Sequence, residues 1–370
     1  MTKTPKFSRI VEALPPTVPF VPPEEMERQF GRKVILRLGA NESSFGLSPK
    51  ARAAMEQAAE ESYLYGDATS HELRTKLAAR LGIGTQHLVI GSGIDELLGL
   101  IARAFLDPGS GVTTSEGGYP TFNYHVEGYG GVLHTVPYRS DFYNDLDGLA
   151  RSARETRSRL VYLANPDNPT GTFYTADEIA RFRKQLPSDC LLILDEAYVE
   201  FAPEDQIYPI DPDDPQVIRT RTFSKAYGMA GARIGYAIAH PEIVQVFEKI
   251  RNHFGVNRMA QAGAAAALED VEFLRQVVQG VKKGRQEYEE LARKTGVRAI
   301  PSHTNFVAID AGSKENAQAL LEALWKQGVF VRAPQAAPLH RCIRVTIGTP
   351  EERRQFAAVF EKIMQTSPTS

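Results

Sequence analysis

Two short apolar runs constrain the fold of this chain more than any other feature. They are Leu160-Val161-Tyr162-Leu163-Ala164 and Cys190-Leu191-Leu192-Ile193-Leu194. Neither alternates with polar residues, so both read as strands covered on both faces, as in a parallel sheet with helices on either side. Each run ends abruptly in polar groups. The first gives way to Asn165-Pro166-Asp167-Asn168-Pro169-Thr170-Gly171, the second to Asp195-Glu196-Ala197-Tyr198. Ligands of open α/β sheets bind beyond the carboxyl ends of strands, which puts Asn168, Asp195 and Tyr198 where chemistry is expected.

Strand-then-helix units recur on the amino-terminal side. Residues 131–136 read as a strand and 145–154 as a helix. Leu88-Val89-Ile90-Gly91-Ser92-Gly93-Ile94-Asp95-Glu96-Leu97 reads as a buried strand, a glycine turn and a helix start. The free N–H groups and positive dipole end of that helix, at Gly93, Ile94 and Asp95, suit a phosphate. A dinucleotide site is disfavoured, because Glu96 stands where the third glycine of G-x-G-x-x-G belongs. Tyr119, between Gly117-Gly118 and Pro120, is either a packed turn residue or a platform for a planar ring.

The stretch from 220 to 236 is Thr-Arg-Thr-Phe-Ser-Lys-Ala-Tyr-Gly-Met-Ala-Gly-Ala-Arg-Ile-Gly-Tyr, centred on Lys225. A lysine among Thr222, Ser224 and a glycine-studded turn, with Arg233 eight residues on, has the parts of a covalent site for a phosphorylated aldehyde. Alone, it also reads as a strand ending in a surface lysine and a loop. The strand-end groups add what a heterocyclic cofactor needs. A carboxylate at Asp195 would keep a ring nitrogen protonated, while Tyr198 and Asn168 would hydrogen-bond a phenolic oxygen.

With 43 basic against 45 acidic residues, the chain has no charge excess to attract nucleic acid or an anionic membrane. No apolar run approaches the roughly 20 residues of a membrane span, and the start lacks a secretory pattern. Cys190 and Cys342 form neither a disulfide framework nor a metal-ligand spacing, so no metal is expected and the cytoplasm is the expected compartment. Pro15, Pro16, Pro19, Pro22 and Pro23 predict an extended amino-terminal arm. The alanine-rich segment from 260 to 270 predicts the start of a joining helix. Strands are expected at 33–38, 297–310, 328–332 and 341–347, with a helix at 316–327.

The motifs Asn-Pro-Asp-Asn-Pro-Thr-Gly, Asp-Glu-Ala-Tyr and Thr-Phe-Ser-Lys-Ala-Tyr-Gly-Met-Ala-Gly-Ala-Arg-Ile-Gly-Tyr stand in this order, with 27 residues from Asn168 to Asp195 and 30 from Asp195 to Lys225. Together they resemble the fold-type I, class I/II pyridoxal-phosphate aminotransferases, most closely the histidinol-phosphate aminotransferase family. The resemblance runs from Leu38-Gly39-Ala40-Asn41-Glu42 to Arg344-Val345-Thr346-Ile347-Gly348-Thr349-Pro350-Glu351-Glu352. It implies a three-layer α/β fold with a mostly parallel central sheet and a smaller α+β domain. The expected division is 1–40 as an arm and part of the small domain, 41–255 as the large cofactor domain, and 256–370 as joining helix and small domain.

By the same resemblance, pyridoxal 5'-phosphate is the cofactor and Lys225 the Schiff-base lysine. Asp195 is then the pyridinium partner, and Tyr198 and Asn168 are the phenolic-oxygen partners. The phosphate falls to Ile94, Asp95, Thr222, Ser224 and Arg233, and ring stacking to Tyr119. Tyr65 corresponds to a tyrosine sent across a homodimer interface to the neighbour's phosphate. On the substrate side, Arg344 matches the α-carboxylate arginine, and Asn41 and Arg332 fall at substrate positions. Phe20 stands where a tyrosine is expected, Arg258 where a small residue is usual, and the loop between Arg332 and Arg344 has its own shape.

The implied reaction moves an amino group between a small amine, histidinol-phosphate-like, aromatic or polar, and a 2-oxo acid. A racemase or decarboxylase is the main alternative, since the same cofactor stabilises the same carbanion. A non-catalytic sensor is a distant one, because the chain has no spare basic domain.

Overall fold

The two apolar runs become adjacent central strands of a seven-stranded sheet. A computed structural model describes residues 5–15, 22–31 and 33–366. Its strands, in chain order, are β1 (Leu36–Arg37), β2 (Leu88–Gly91), β3 (Gly111–Ser115), β4 (Val132–Val136), β5 (Leu160–Ala164), β6 (Leu191–Asp195), β7 (Val217–Thr222), β8 (Gly235–Ile238), β9 (Arg298–Ala299), β10 (Phe306–Asp310), β11 (Val329–Phe330) and β12 (Cys342–Thr346). The large sheet has the order β2-β8-β7-β6-β5-β3-β4. Its strands are parallel except β8, which runs against both neighbours.

Every residue of β5 and β6 is buried, as unbroken apolar runs require. Alternation sends their side chains to two cores. Tyr162 and Ile193 pack with Leu97, Ile101, Phe122 and Phe247 from helices Ile94–Phe105, Pro120–Gly128 and Pro241–Ile250. Val161, Leu163, Leu192 and Leu194 pack with Leu149 and Phe182 from helices Leu146–Glu155 and Ala176–Gln185. The result is the expected three-layer arrangement. After β3 the chain steps outward to β4, whereas after β5 it proceeds the other way through β6 and β7. The strand order therefore reverses at the carboxyl ends of β3 and β5, where a ligand crevice opens.

A second sheet, β12-β10-β9, is antiparallel, and β1 pairs in parallel with β11. Helices Val271–Lys294, Lys314–Lys326 and Pro350–Thr366 supply its core with Val277, Tyr288, Leu324, Phe356 and Phe360. That core also takes in Tyr198 and Ala226, next to the polar strand ends of the large sheet.

Three expectations need correction. The arm contains helices Arg9–Ala13 and Pro23–Phe30. Ser8 caps the first, and Pro23 occupies the first turn of the second, where a proline initiates rather than breaks a helix; Gly31 ends it in the left-handed conformation. The joining helix is two helices, Arg258–Ala267 and Val271–Lys294, because Asp270 accepts from the Phe273 N–H and starts the chain afresh. Segments 33–38 and 297–310 form shorter strands than expected, the latter split by a turn in which Ser302 and Thr304 hydroxyls bond the backbone. Among the described residues, no helix is long and apolar enough to cross a membrane.

Candidate active site

A cavity of about 750 Å³ opens at the reversal point. Its floor comes from the loops after β3, β5, β6 and β7, and its other wall from residues 39–42, Arg332 to Ala336, and Arg344. Ile94, Asp95, Tyr119, Asn168, Asp195, Tyr198, Thr222, Ser224, Lys225 and Arg233 all line it, with Asn41, Arg332 and Arg344.

Asp195 closes β6 and is 4% exposed. Burial raises its pKa to about 6, against hydrogen bonds from the Tyr162 hydroxyl at 2.7 Å and the Ala197 N–H at 3.1 Å. Its neighbour Glu196 faces elsewhere and accepts from the guanidinium groups of Arg219 and Arg221, each at 2.8 Å. Thus one of two consecutive carboxylates is neutralised by arginines while the other is left to the cavity.

Lys225 follows β7 and is partly open to the cavity. Desolvation, reinforced by the nearby Arg344 charge, lowers its pKa to about 8. Its Nζ lies 5.7 Å from the centre of the Tyr198 ring. Thr222 donates to the Ser224 hydroxyl at 2.9 Å and accepts from the Ser224 N–H at 3.0 Å, which folds the turn before the lysine. Tyr119 donates to Asp95 Oδ1 at 2.8 Å, and Arg233 Nη2 lies 3.5 Å from Asp95 Oδ2. Gly93 stands behind this pair with φ 88°; a Cβ there would sit 2.4 Å from Arg233 Nη2, so glycine lets the guanidinium approach the helix start.

On the opposite wall, Arg344 donates to Asn168 Oδ1 at 2.5 Å and to the Gly39 carbonyl at 3.0 Å, leaving its buried Nε without a partner. Arg332 is bridged to Arg344 through the backbone and lies over the Phe330 ring at 5.0 Å. Asn41 lines the cavity, but its side chain donates to the Tyr198 hydroxyl at 2.9 Å and accepts from Thr346 at 3.3 Å.

Tyr65 and Arg258 stay outside this cavity. Tyr65 is 78% exposed and packs against Phe254 with the rings tilted by 35°, while Arg258 pairs with Glu61 at 2.7 Å and donates to the Tyr65 carbonyl. Phe20 lies outside the described residues. Tyr162, Tyr124 and Glu42 line the site without having been singled out in the sequence. Tyr162 had a signal: a hydroxyl in a run otherwise apolar, two residues before the strand end, on the face shared by Ala164, which pairs with Asp195.

The family described as aminotransferase class I and II matches residues 33–360. A histidinol-phosphate aminotransferase of Bacillus velezensis is 34% identical over 95% of this chain and 98% of the relative. A histidinol-phosphate aminotransferase 2 of Ralstonia nicotianae is 37% identical over 96% of each chain. The crystal structure of histidinol-phosphate aminotransferase from Sinorhizobium meliloti in complex with pyridoxal-5'-phosphate superposes with a TM-score of 0.94, at 45% identity over 99% of both chains.

The cavity suits that cofactor on its own terms. It presents an amine of lowered pKa, a buried carboxylate facing inward, and a helix start at which glycine admits an arginine. An orphaned guanidinium Nε completes the set. The chain therefore belongs to the class I and II aminotransferases and is a pyridoxal-phosphate-dependent aminotransferase.

Proposed function

We propose that this aminotransferase takes its amino group from a small amine that carries an anionic group, of the histidinol phosphate kind or an aromatic or polar amino acid, and passes it to a 2-oxo acid. The observation that carries this reading is the pairing of Arg332 with Arg344 across the cavity from Lys225. Two planar guanidinium groups on one wall suit two anionic substrate groups. Arg344 is assigned the α-carboxylate of amino and 2-oxo acids, and Arg332 a distal phosphate or carboxylate. The relatives named for histidinol phosphate support that substrate as the first to test.

When bound, pyridoxal phosphate supplies an aldehyde carbon for an amine to capture and a protonated ring that takes up the electron pair left on the substrate's α-carbon. Lys225 Nζ is assigned the covalent attachment and, once displaced by substrate, the removal of the proton from the substrate α-carbon. The lowered pKa of its amine supports both roles. Asp195, held by Tyr162 and Ala197, is assigned the ring nitrogen. Asn168 and Tyr198 are assigned the phenolic oxygen. Thr222, Ser224, Arg233 and the first N–H groups of the helix at Ile94 and Asp95 are assigned the phosphate, with Tyr119 against the ring.

The working unit is proposed to be a homodimer, joined near Tyr63, Leu64, Tyr65 and Phe254, with Tyr65 completing the partner's site. Their exposure, 82% at Tyr63 and 78% at Tyr65, supports an interface there. We assign residues 41–255 to a large domain and 1–40 with 256–370 to a small one, supported by the β1–β11 pairing and the separate core of the second sheet. The two buried, unpaired cysteines accord with a reducing cytoplasmic setting.

The test is a half-reaction. Purified holoenzyme is mixed with histidinol phosphate, histidine, glutamate or a short aliphatic amino acid, without acceptor, and the cofactor absorbance is followed. Conversion by an anionic or ring-bearing donor supports the reading; conversion by short aliphatic amino acids alone overturns it.

A further inference from the structure

Tyr198 is packed against the second sheet rather than the large one. Its ring meets Phe306 of β10 edge-on, with centroids 5.4 Å apart and planes at 88°. A tyrosine hydroxyl has one proton to give and lone pairs to receive. Asn41 Nδ2 donates to that oxygen at 2.9 Å, so the hydroxyl accepts on the Asn41 side and its own proton is left for the cavity that Tyr198 lines.

An amide orients a neighbour only if its two ends are told apart, and the contacts of Asn41 tell them apart. Thr346 Oγ1, at the end of β12, donates to Asn41 Oδ1 at 3.3 Å and accepts from the Asn41 N–H at 3.1 Å. With Oδ1 committed to Thr346, Nδ2 faces Tyr198. Asn305 Nδ2 donates to the Asn41 carbonyl at 3.0 Å, so every polar function of Asn41 has a partner. The residue is 2% exposed and has φ 55°, the left-handed region that asparagine tolerates better than most.

We infer that Asn41 is a positioning residue for catalysis, aimed by Thr346, which holds the Tyr198 hydroxyl proton toward the cofactor's phenolic oxygen. This rests on the assignment of Tyr198 to that oxygen. A hydroxyl already accepting a hydrogen bond is a stronger donor, and donation to the oxygen anion favours the deprotonated form of the bound chromophore. Strand β12 thereby acts on both proposed partners of one oxygen: on Asn168 directly through Arg344, and on Tyr198 through Thr346 and Asn41.

The experiment is a pH titration of the visible absorbance of the holoenzyme, a readout that a purely structural role would not move. Thr346→Val should raise the apparent pKa of the chromophore by about one unit, and Thr346→Ser, which keeps the hydroxyl, should restore it. Tyr198→Phe should raise the pKa at least as far, and adding Thr346→Val to Tyr198→Phe should change nothing more. If Thr346→Val does not fold, Asn41→Ala takes its place with the same expected shift.

A pKa unmoved by loss of Asn41 or Thr346, where Tyr198→Phe does move it, overturns the inference alone. A shift that persists in the Tyr198→Phe background does the same. A pKa unmoved by Tyr198→Phe overturns the assignment of Tyr198 beneath it.

Discussion

The cavity has two sides built on different principles. Its floor is a row of strand ends, Asn168 after β5, Asp195 closing β6 and Lys225 after β7, each supplied by the sheet's own succession. Its wall is assembled from places far apart in the chain: Asn41 with Thr346, Gly39 with Arg344, and Arg344 with Asn168. The floor sits on strands buried on both faces. The wall comes from β12 and from the segments that follow β1 and β11, and joins the floor through polar contacts such as Arg344 with Asn168 and Asn41 with Tyr198. We propose a division of labour in which the floor fixes the cofactor, while the wall props the floor's polar groups and, through Arg332 and Arg344, reads the substrate. Substitutions of floor residues and of Arg332 should then fail in different measurements.

The largest effect belongs to the floor. Lys225→Ala should lower kcat by about 10⁴-fold, since it removes the residue to which both covalent attachment and proton transfer are assigned. The thermal transition should change little, because a partly open lysine of lowered pKa contributes no favourable charge to the fold. Steady-state kinetics and a melting curve check the two halves. A variant that keeps substantial turnover would break the assignment of the floor.

A second test uses pH. With Lys225 titrating at about 8, the fraction of neutral amine falls about tenfold for each pH unit below that value. Cofactor capture by protein stripped of pyridoxal phosphate should therefore accelerate from pH 6 to 8 and level off above; stopped-flow absorbance follows it. An amine of ordinary pKa would go on gaining rate past pH 9. The stability sign follows from the same shift. The unfolded chain holds the lysine proton up to about 10.5, so this group's contribution to stability rises with pH between about 8 and that value.

The floor was legible in the sequence because of the burial of its strands. A buried parallel strand must be apolar along its length, so the first polar residue beyond it marks the ligand side; Asp195 and Asn168 are read this way from single segments. Lys225 and the helix start at Gly93 follow similarly local rules. The wall obeys no local rule. Nothing near Asn41 says that its amide faces Tyr198, 157 positions away, or that Thr346 will hold it, 305 positions away. Resemblance placed Asn41 beside the substrate, but only the folded chain shows its side chain bonded to two other residues. The arm misled for a simpler reason: prolines signal extension unless one falls in the first turn of a helix, as Pro23 does.

The smallest effects sharpen the comparison most, because they are similar in size and opposite in kind. Tyr162→Phe on the floor removes a 2.7 Å hydrogen bond to the Asp195 carboxylate. A bond to a charged group contributes about 1.5–3 kcal/mol, so cofactor affinity should fall about tenfold or more. Loss of that bond also lets the pKa of Asp195 rise above about 6, so the defect should deepen as pH falls toward 6 and shrink above it. KM for the amine, measured with saturating cofactor, should stay near its original value. Arg332→Ala on the wall should do the reverse, raising KM about tenfold or more for a donor with a distal anion while cofactor affinity and absorbance stay unchanged. Against a donor lacking that anion, the same substitution should cost little. Fluorescence titration of cofactor and initial rates at varied donor separate the two outcomes. If Arg332→Ala instead loosens the cofactor, Arg332 is part of the cofactor site, and the division between floor and wall fails where it makes its most specific claim.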